Sequence, residues 1–144
     1  KNKKIKVVRI SNLFANNFTN QAYILPTIIR DSIIKNKINL ELSNNSTKDF
    51  IHVEDAFNVL IKIIFSGKYR MYNIASGKNV YIGDIIKRIK KITNCKIIRK
   101  KNYRTIKEPK INIGRIKKEF NFKTKYNLIS YINELLDSQK KLIK

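Results

Sequence analysis

The segment from Lys48 to Gly67 constrains the fold most, because it encodes a strand, a turn and a helix without interruption. Its first part, Phe50-Ile51-His52-Val53, is rich in residues that favour extended structure. Glu54 and Asp55 follow, where the positive end of a helix dipole favours negative charge. Gly67 is the expected C-terminal cap. One apolar helical face lies between them, with spacings of three and four residues: Ala56, Val59, Leu60, Ile63 and Ile64.

The rest of the chain alternates between strand and helix patterns. Strands are predicted from β-branched apolar runs at 5–10, 38–42, 71–75 and 96–99. Helices are predicted from helical periodicity at 24–33, 82–92, 113–120 and 128–142. Two polar segments, 11–21 and 100–110, are predicted loops. This order predicts an α/β fold with at least part of its sheet parallel, and 144 residues suffice for a buried core.

The net charge of +22 raises the question of a nucleic-acid partner, since lysine and arginine neutralise phosphates. However, the chain contains 27 Ile, 25 Lys and 18 Asn, three residue types with A/T-rich codons. The basic residues are also spread along the whole chain, without an arginine-rich block. Composition bias therefore explains the charge better, and nucleic-acid binding is kept only as the weakest alternative.

Cysteine and apolar content limit the location and the metal chemistry. The single cysteine, Cys95, excludes an internal disulfide and favours a reducing, cytoplasmic compartment. One His and one Cys exclude the usual zinc ligand sets, so no metal site is predicted. No apolar run approaches the roughly 18–20 residues that cross a bilayer, so no membrane partner is predicted. The first residue is Lys1, which suggests a piece of a longer protein.

The familiar catalytic and phosphate-binding motifs are absent. There is no G-x-G-x-x-G and no G-x-x-x-x-G-K-[ST], since the four glycines stand far apart. His52 has no partner at triad-like spacing and is predicted to be a packed or surface strand residue. Tyr103 and Lys107 spell Tyr-x-x-x-Lys, which on a helix would lower the phenol pKa. Pro109 and the loop-like surroundings argue against such a helix, so no catalytic residue is predicted.

Several stretches, in this order and spacing, resemble the C-terminal half of the NAD-dependent epimerase/dehydratase family. These proteins are the extended short-chain dehydrogenases/reductases that act on nucleotide sugars. The resemblance covers nearly the whole chain and rests on residues 7–14 (VVRISNLF), 24–26 (ILP), 48–55 (KDFIHVED) and 72–77 (YNIASG). The stretch 111–122 also resembles the family's closing helix.

The resemblance implies a set of substrate-binding residues. Arg9, Asn12 and Phe14 match the family's Arg-x-x-Asn-x-aromatic strand end, and Asn12 becomes a substrate-site candidate, with a loop-capping role as the alternative. Lys48 stands where the family usually has an arginine that reaches the substrate diphosphate; lysine keeps the charge but loses the bidentate fork. The remaining candidates are Tyr23 and Ile24 beside the nucleotide, where Ile24 could instead be core, and Arg104, which could instead be a solvated arginine.

The resemblance also implies how the chain is organised and what it lacks. Segments 1–15 and 53–95 resemble the last strands and helices of a Rossmann-like parallel sheet, and segments 16–52 and 96–144 resemble a small α/β substrate-binding lobe. The glycine-rich loop and the catalytic Tyr and Lys would lie upstream of Lys1. The intact enzyme would use NAD, or alternatively NADP, would act on a nucleotide-diphosphate sugar, and would form a homodimer.

The chain alone is then expected to bind no NAD and to be inactive. A non-catalytic nucleotide-binding or regulatory module is the main alternative function. Either way, strands near residues 5–10 and 71–75 would leave apolar edges open, so we expect low solubility or marginal stability for the isolated chain.

Overall fold

A computed structural model of the protein describes residues 5–16 and 23–143. The strands within these ranges are β1 (Val7–Ile10), β2 (Asn12–Phe14), β3 (Lys37–Leu42), β4 (Thr47–His52), β5 (Met71–Ile74), β6 (Asn79–Tyr81) and β7 (Lys96–Arg104). The helices are α1 (Ile24–Ile34), α2 (Val53–Ser66), α3 (Ile82–Thr93), α4 (Gly114–Phe120) and α5 (Leu128–Ile143). The predicted α/β fold with parallel pairing is confirmed.

The described strands form three small groups. β1 pairs with β5 in parallel, and β3 pairs with β7 in parallel. β4 is central in the third group, parallel to β2 and antiparallel to β6. Only Ser11 separates β1 from β2, so the chain passes from one group to another at that residue. This crossing places Asn12 opposite Phe50 on β4, which is where the candidate site forms.

Two hydrophobic clusters hold these groups together. The larger one is formed by α1, α3, α5 and the inward side of β3, and its centre includes Ile38, Ile85 and Ile132. The smaller one packs α2 and α4 against β5, with Ile63 and Tyr72 fully buried. The predicted division into Rossmann and lobe segments stays a prediction; the packing itself groups α3 with α1 and α5.

The strand–helix unit that begins at Lys48 is confirmed. β4 runs directly into α2, and the His52 side chain accepts a hydrogen bond from the Glu54 backbone N–H at 3.3 Å. Gly67 ends the helix, where its N–H donates to the Ile63 carbonyl at 3.0 Å. A Cβ on Gly67 would lie 2.6 Å from that carbonyl oxygen, so the close approach requires glycine.

Two predicted loops were partly wrong. Within the predicted loop 11–21, Asn12–Phe14 forms β2, while residues 17–22 lie outside the described part of the chain. β7 continues to Arg104, whereas a strand was predicted only to residue 99. Backbone pairing with β3 extends this strand, although most of its lysine-rich side chains are exposed and carry no apolar periodicity. In the described residues, no helix is both long and apolar enough to cross a membrane.

Candidate functional site

An open cleft of about 730 Å³ lies between the start of β2, the start of α1, β4 and the segment that follows β7. Four of the five predicted substrate-binding residues line it, and they come from three separate segments of the chain. These four are Asn12, Tyr23, Ile24 and Lys48. The structure thus brings them together, while their role in binding stays a prediction.

The polar side of the cleft is a linked group of three side chains. Lys48 Nζ forms an ion pair with Glu108 Oε1. Asn12 Nδ2 donates to the backbone carbonyl of Asp49 at 2.8 Å and reaches Glu108 Oε2 at 3.4 Å. The Lys48 and Glu108 side chains are 17% and 30% exposed, so both are partly withdrawn from water. The Glu108 carboxylate therefore bridges the two polar residues that the resemblance assigns to the substrate.

Backbone contacts fix Glu108 in this position. Its N–H donates to the Thr47 carbonyl at 3.1 Å, and its own carbonyl accepts a hydrogen bond from Asn79 Nδ2. Thr47 also pairs with Lys107 as an isolated bridge. The segment after β7 is thereby attached to β4 immediately beside Lys48.

The buried carboxylate of Asp49 stabilises the cleft from the opposite face of β4. Asp49 is fully buried and follows Lys48 on β4, so the two side chains point to opposite faces. Its oxygens accept hydrogen bonds from Ser11 Oγ at 2.8 Å, from Ser76 N and Ser76 Oγ at 2.9 Å, and from Lys78 N at 3.1 Å. Asp49 therefore fixes the β1–β2 crossing and the turn after β5 relative to β4.

The opposite side of the cleft is apolar. α1 begins at Ile24, and the Tyr23 carbonyl accepts a hydrogen bond from Thr27 Oγ1 at 2.9 Å. Tyr23 is exposed, Ile24 is partly buried against the larger core, and Phe50 is a buried residue of the lining. Lys48 and Asn12 thus lie across the cleft from an apolar surface, formed by Tyr23 and Ile24, that suits a ring or an alkyl group.

Arg104 is not among the residues that line the cleft. It ends β7, where its carbonyl accepts hydrogen bonds from Ser43 N at 2.8 Å and from Ser46 Oγ at 3.4 Å, and its side chain is exposed. The structure therefore separates Arg104 from the other four candidates, and its phosphate contact stays a prediction.

His52 is a packed residue, as predicted. It is buried, its ring stacks on Tyr126 at 3.9 Å between centroids, and it makes edge contacts with Phe14 and Tyr131. Burial lowers the pKa of His52, because the imidazolium form would lose its hydration. The nearby Glu54 and Asp55 carboxylates oppose this shift.

The Tyr-x-x-x-Lys spacing does not form a helical pair. Tyr103 lies on β7 and is 53% exposed, and Lys107 comes after the strand has ended. One turn of helix is needed to bring such residues together, and this segment is extended.

The four glycines do not fit a dinucleotide. A Cβ added to any of them would come into contact with other protein atoms. At Gly67 the contact is the Ile63 carbonyl oxygen, and at Gly77 it is the Ile113 side chain. At Gly83 the contact is Asn44, and at Gly114 it is the Asn112 side chain. None of them therefore supplies an open backbone cradle for a pyrophosphate. Nor do the described residues contain a group of three or more His, Cys, Asp or Glu that could hold a metal ion.

Two acidic residues of the site were missed from the sequence. Asp49 and Glu108 are among only ten acids against 32 basic residues, and this scarcity was the available signal. Nothing in the local pattern around Glu108 indicates that it lies beside a residue 60 positions earlier.

Comparison with known proteins gives the fold its context. No protein-family model matches the sequence, and no curated protein sequence matches it either. Among solved structures, an NAD-dependent NDP-hexosamine 5,6-dehydratase involved in tunicamycin biosynthesis is similar, with a TM-score of 0.85 at 15% identity over 96% of this chain and 46% of that chain.

Two further solved structures extend the similarity to an epimerase and a second dehydratase. UDP-glucose 4-epimerase from Thermotoga maritima with UDP-glucose gives a TM-score of 0.81 at 14% identity, over 96% of this chain and 47% of that chain. The dTDP-glucose 4,6-dehydratase from Bacillus anthracis in complex with NAD gives 0.76 at 18% identity, over 94% and 44%. The chain spans just under half the length of these proteins. It therefore has the fold of the C-terminal half of NAD-dependent nucleotide-sugar epimerases and dehydratases.

Proposed function

We propose that this chain is the substrate-binding portion of an NAD-dependent nucleotide-sugar epimerase or dehydratase. The observation that carries the proposal is the single cleft shared by Asn12, Tyr23, Ile24 and Lys48. The family resemblance of the sequence implies a substrate contact for each of these four residues. Their meeting from three segments supports one ligand that contacts them all.

The chemistry of the cleft suits a nucleotide-diphosphate sugar. Lys48 offers a positive charge to a phosphate oxygen as a single point contact. Asn12 offers an amide that can donate to a phosphate or sugar oxygen. Tyr23 and Ile24 offer an apolar surface for a base or sugar ring. The strongly basic chain would also attract a dianionic ligand at low ionic strength.

We further propose that hydride transfer requires a second half of the protein. In that half the family's glycine-rich loop and its catalytic Tyr and Lys would hold NAD, or alternatively NADP, and the complete enzyme would be a cytoplasmic homodimer. The part played by this chain is then to hold the diphosphate and to position the hexose. Turnover of a nucleotide sugar by these 144 residues with added NAD would contradict the proposal that hydride transfer requires a second half.

Isothermal titration of the chain with UDP-glucose and with dTDP-glucose tests the binding role. We expect saturable one-to-one binding of at least one ligand. Lys48→Met should weaken it by roughly tenfold or more, because a hydrogen bond to a charged group is worth about 1.5–3 kcal/mol. Lys100→Met is the matched control: it removes the same charge from an exposed pair with Glu41 outside the cleft. No binding of either ligand, or equal losses in both variants, would overturn the proposal.

A further inference from the structure

The Glu108 carboxylate contacts both the Lys48 and the Asn12 side chains of the cleft. One carboxylate oxygen pairs with Lys48 Nζ, and the other lies 3.4 Å from Asn12 Nδ2. We infer that Glu108 is an internal competitor for the ligand's phosphate, so that binding requires its carboxylate to be displaced from Lys48. This inference rests on the proposed function of the cleft and assigns a role to a residue that the resemblance did not include.

Electrostatics make the competition direct. Two anions beside one ammonium repel each other, and neither partner of the Lys48–Glu108 pair is open enough to be fully screened. An arginine at position 48 could present separate N–H groups to a carboxylate and to a phosphate. Lysine is a compact point charge with no such fork, so Lys48 is not free for a phosphate while it holds Glu108.

Displacement needs only a side-chain movement. The backbone of Glu108 is attached to Thr47 and Asn79 on the neighbouring strands, so the segment itself can stay in place. Among the described residues, hydrogen bonds to the carboxylate come from Lys48 and, at the long distance of 3.4 Å, from Asn12. The carboxylate can therefore rotate toward water when an incoming phosphate replaces it.

Glu108→Gln keeps the shape of the side chain and removes its charge. Without the Glu108 charge, Lys48 is unpaired in most molecules, and this is the state that binds a phosphate. The affinity for UDP-glucose should therefore rise by roughly three- to tenfold. Part of the gain comes from freeing Lys48, so Glu108→Gln should raise affinity less in the Lys48→Met background than in the unmodified chain; equal gains in the two backgrounds would show simple repulsion and no competition for Lys48. Glu41→Gln is the matched control, because it breaks the Lys100–Glu41 pair away from the cleft and should leave affinity unchanged.

Inorganic pyrophosphate serves as a second probe that separates the two proposals. Suppose that UDP-glucose binds none of the proteins, whereas pyrophosphate binds Glu108→Gln more tightly than the wild-type chain and this gain depends on Lys48. The competition then stands and the nucleotide-sugar function falls. If UDP-glucose binds the wild-type chain and Glu108→Gln equally, or binds Glu108→Gln more weakly, the competition falls and the function stands. If neither probe binds any variant, both fall.

Two further measurements protect the test against a misfolded variant. Glu108→Ala removes the carboxylate in a second way and should reproduce the tighter binding. In the unmodified chain, the ¹³C resonance of the Glu108 carboxylate should shift as pyrophosphate is added, because the group leaves Lys48. A resonance that stays constant while pyrophosphate binds would overturn the inference.

Discussion

The Tyr72 hydroxyl donates a hydrogen bond to Glu119 Oε2 at 2.7 Å and so joins β5 to α4 across 47 residues. The same hydroxyl accepts a hydrogen bond from the Tyr69 N–H at 2.9 Å, and Glu119 Oε1 accepts one from the Lys68 N–H at 2.7 Å. Tyr72 is fully buried, and burial raises the pKa of its phenol, with Glu119 adding to the effect. The group therefore joins β5, α4 and the segment that follows α2.

Tyr72→Phe should lower the free energy of unfolding by about 1–3 kcal/mol, because it leaves Tyr69 N–H and one Glu119 oxygen without their partner. Urea denaturation followed by circular dichroism measures this. Tyr103→Phe is the control, since that hydroxyl lies on an exposed strand and its loss should change stability by less than about 0.5 kcal/mol. Equal effects of the two changes would show that the buried hydrogen bonds contribute nothing.

Asp49→Ala should be more damaging, with a loss of at least about 2 kcal/mol, because several buried or half-buried donors lose their acceptor at once. Ser11, Ser76 and Lys78 are those donors, and they belong to two different crossings of the chain. Asp137→Ala removes an exposed carboxylate whose contact with Lys140 is 3.4 Å, and serves as the comparison. A loss well below about 2 kcal/mol for Asp49→Ala in urea denaturation would contradict this structural role of Asp49.

The sequence predicts those helices and strands whose formation depends on neighbouring residues in the chain. The unit from Lys48 to Gly67 combines strand propensity, acidic residues at a helix start and a single apolar face, so each part favours the same structure. Asn12, Tyr23, Ile24 and Lys48 were found through an ordered family pattern and not through their chemistry. Glu108 was missed because its position depends on how the segment after β7 attaches to β4, and such a long-range pairing leaves no periodic signal.

β7 shows the same limit in secondary structure. Its second half, from Lys100 to Arg104, is predominantly charged or polar, and apolar patterns alone therefore predict a loop there. Backbone hydrogen bonds to β3 extend the strand instead, and they put Arg104 opposite Leu42. That extension is also what separates Arg104 from the cleft with which the resemblance had grouped it.

His52 should give the protein a pH-dependent stability. Burial lowers its folded-state pKa below the usual 6.5, so in acid the unfolded chain takes up a proton that the folded chain does not. The contribution of His52 to stability should be constant above about pH 7.5 and should fall as the pH drops through 6.5, by at most about 1.4 kcal/mol per pH unit. Urea denaturation at pH 5.5, 6.5 and 7.5 measures the slope.

His52→Phe is the matched variant for this dependence. Phenylalanine can pack among Phe14, Tyr126 and Tyr131, although it loses the hydrogen bond from Glu54 N–H. The chain contains no other histidine, so the slope between pH 5.5 and 7.5 should largely disappear in this variant. An unchanged slope would place the titrating group elsewhere.

The outer face of α2 should promote self-association of the isolated chain. Val59 and Ile63 are buried on its inner face, whereas Phe57, Ile64 and Phe65 are exposed, Phe65 by 82%.

Replacing Phe57 and Phe65 with glutamine leaves the net charge unchanged and removes the two largest apolar groups of the patch. Sedimentation velocity at increasing concentration should show growing association for the wild-type chain and much less for the double variant. The free energy of unfolding should change by less than about 1 kcal/mol, because neither side chain packs into the core. Identical concentration dependence in the two proteins would show that this face does not drive association.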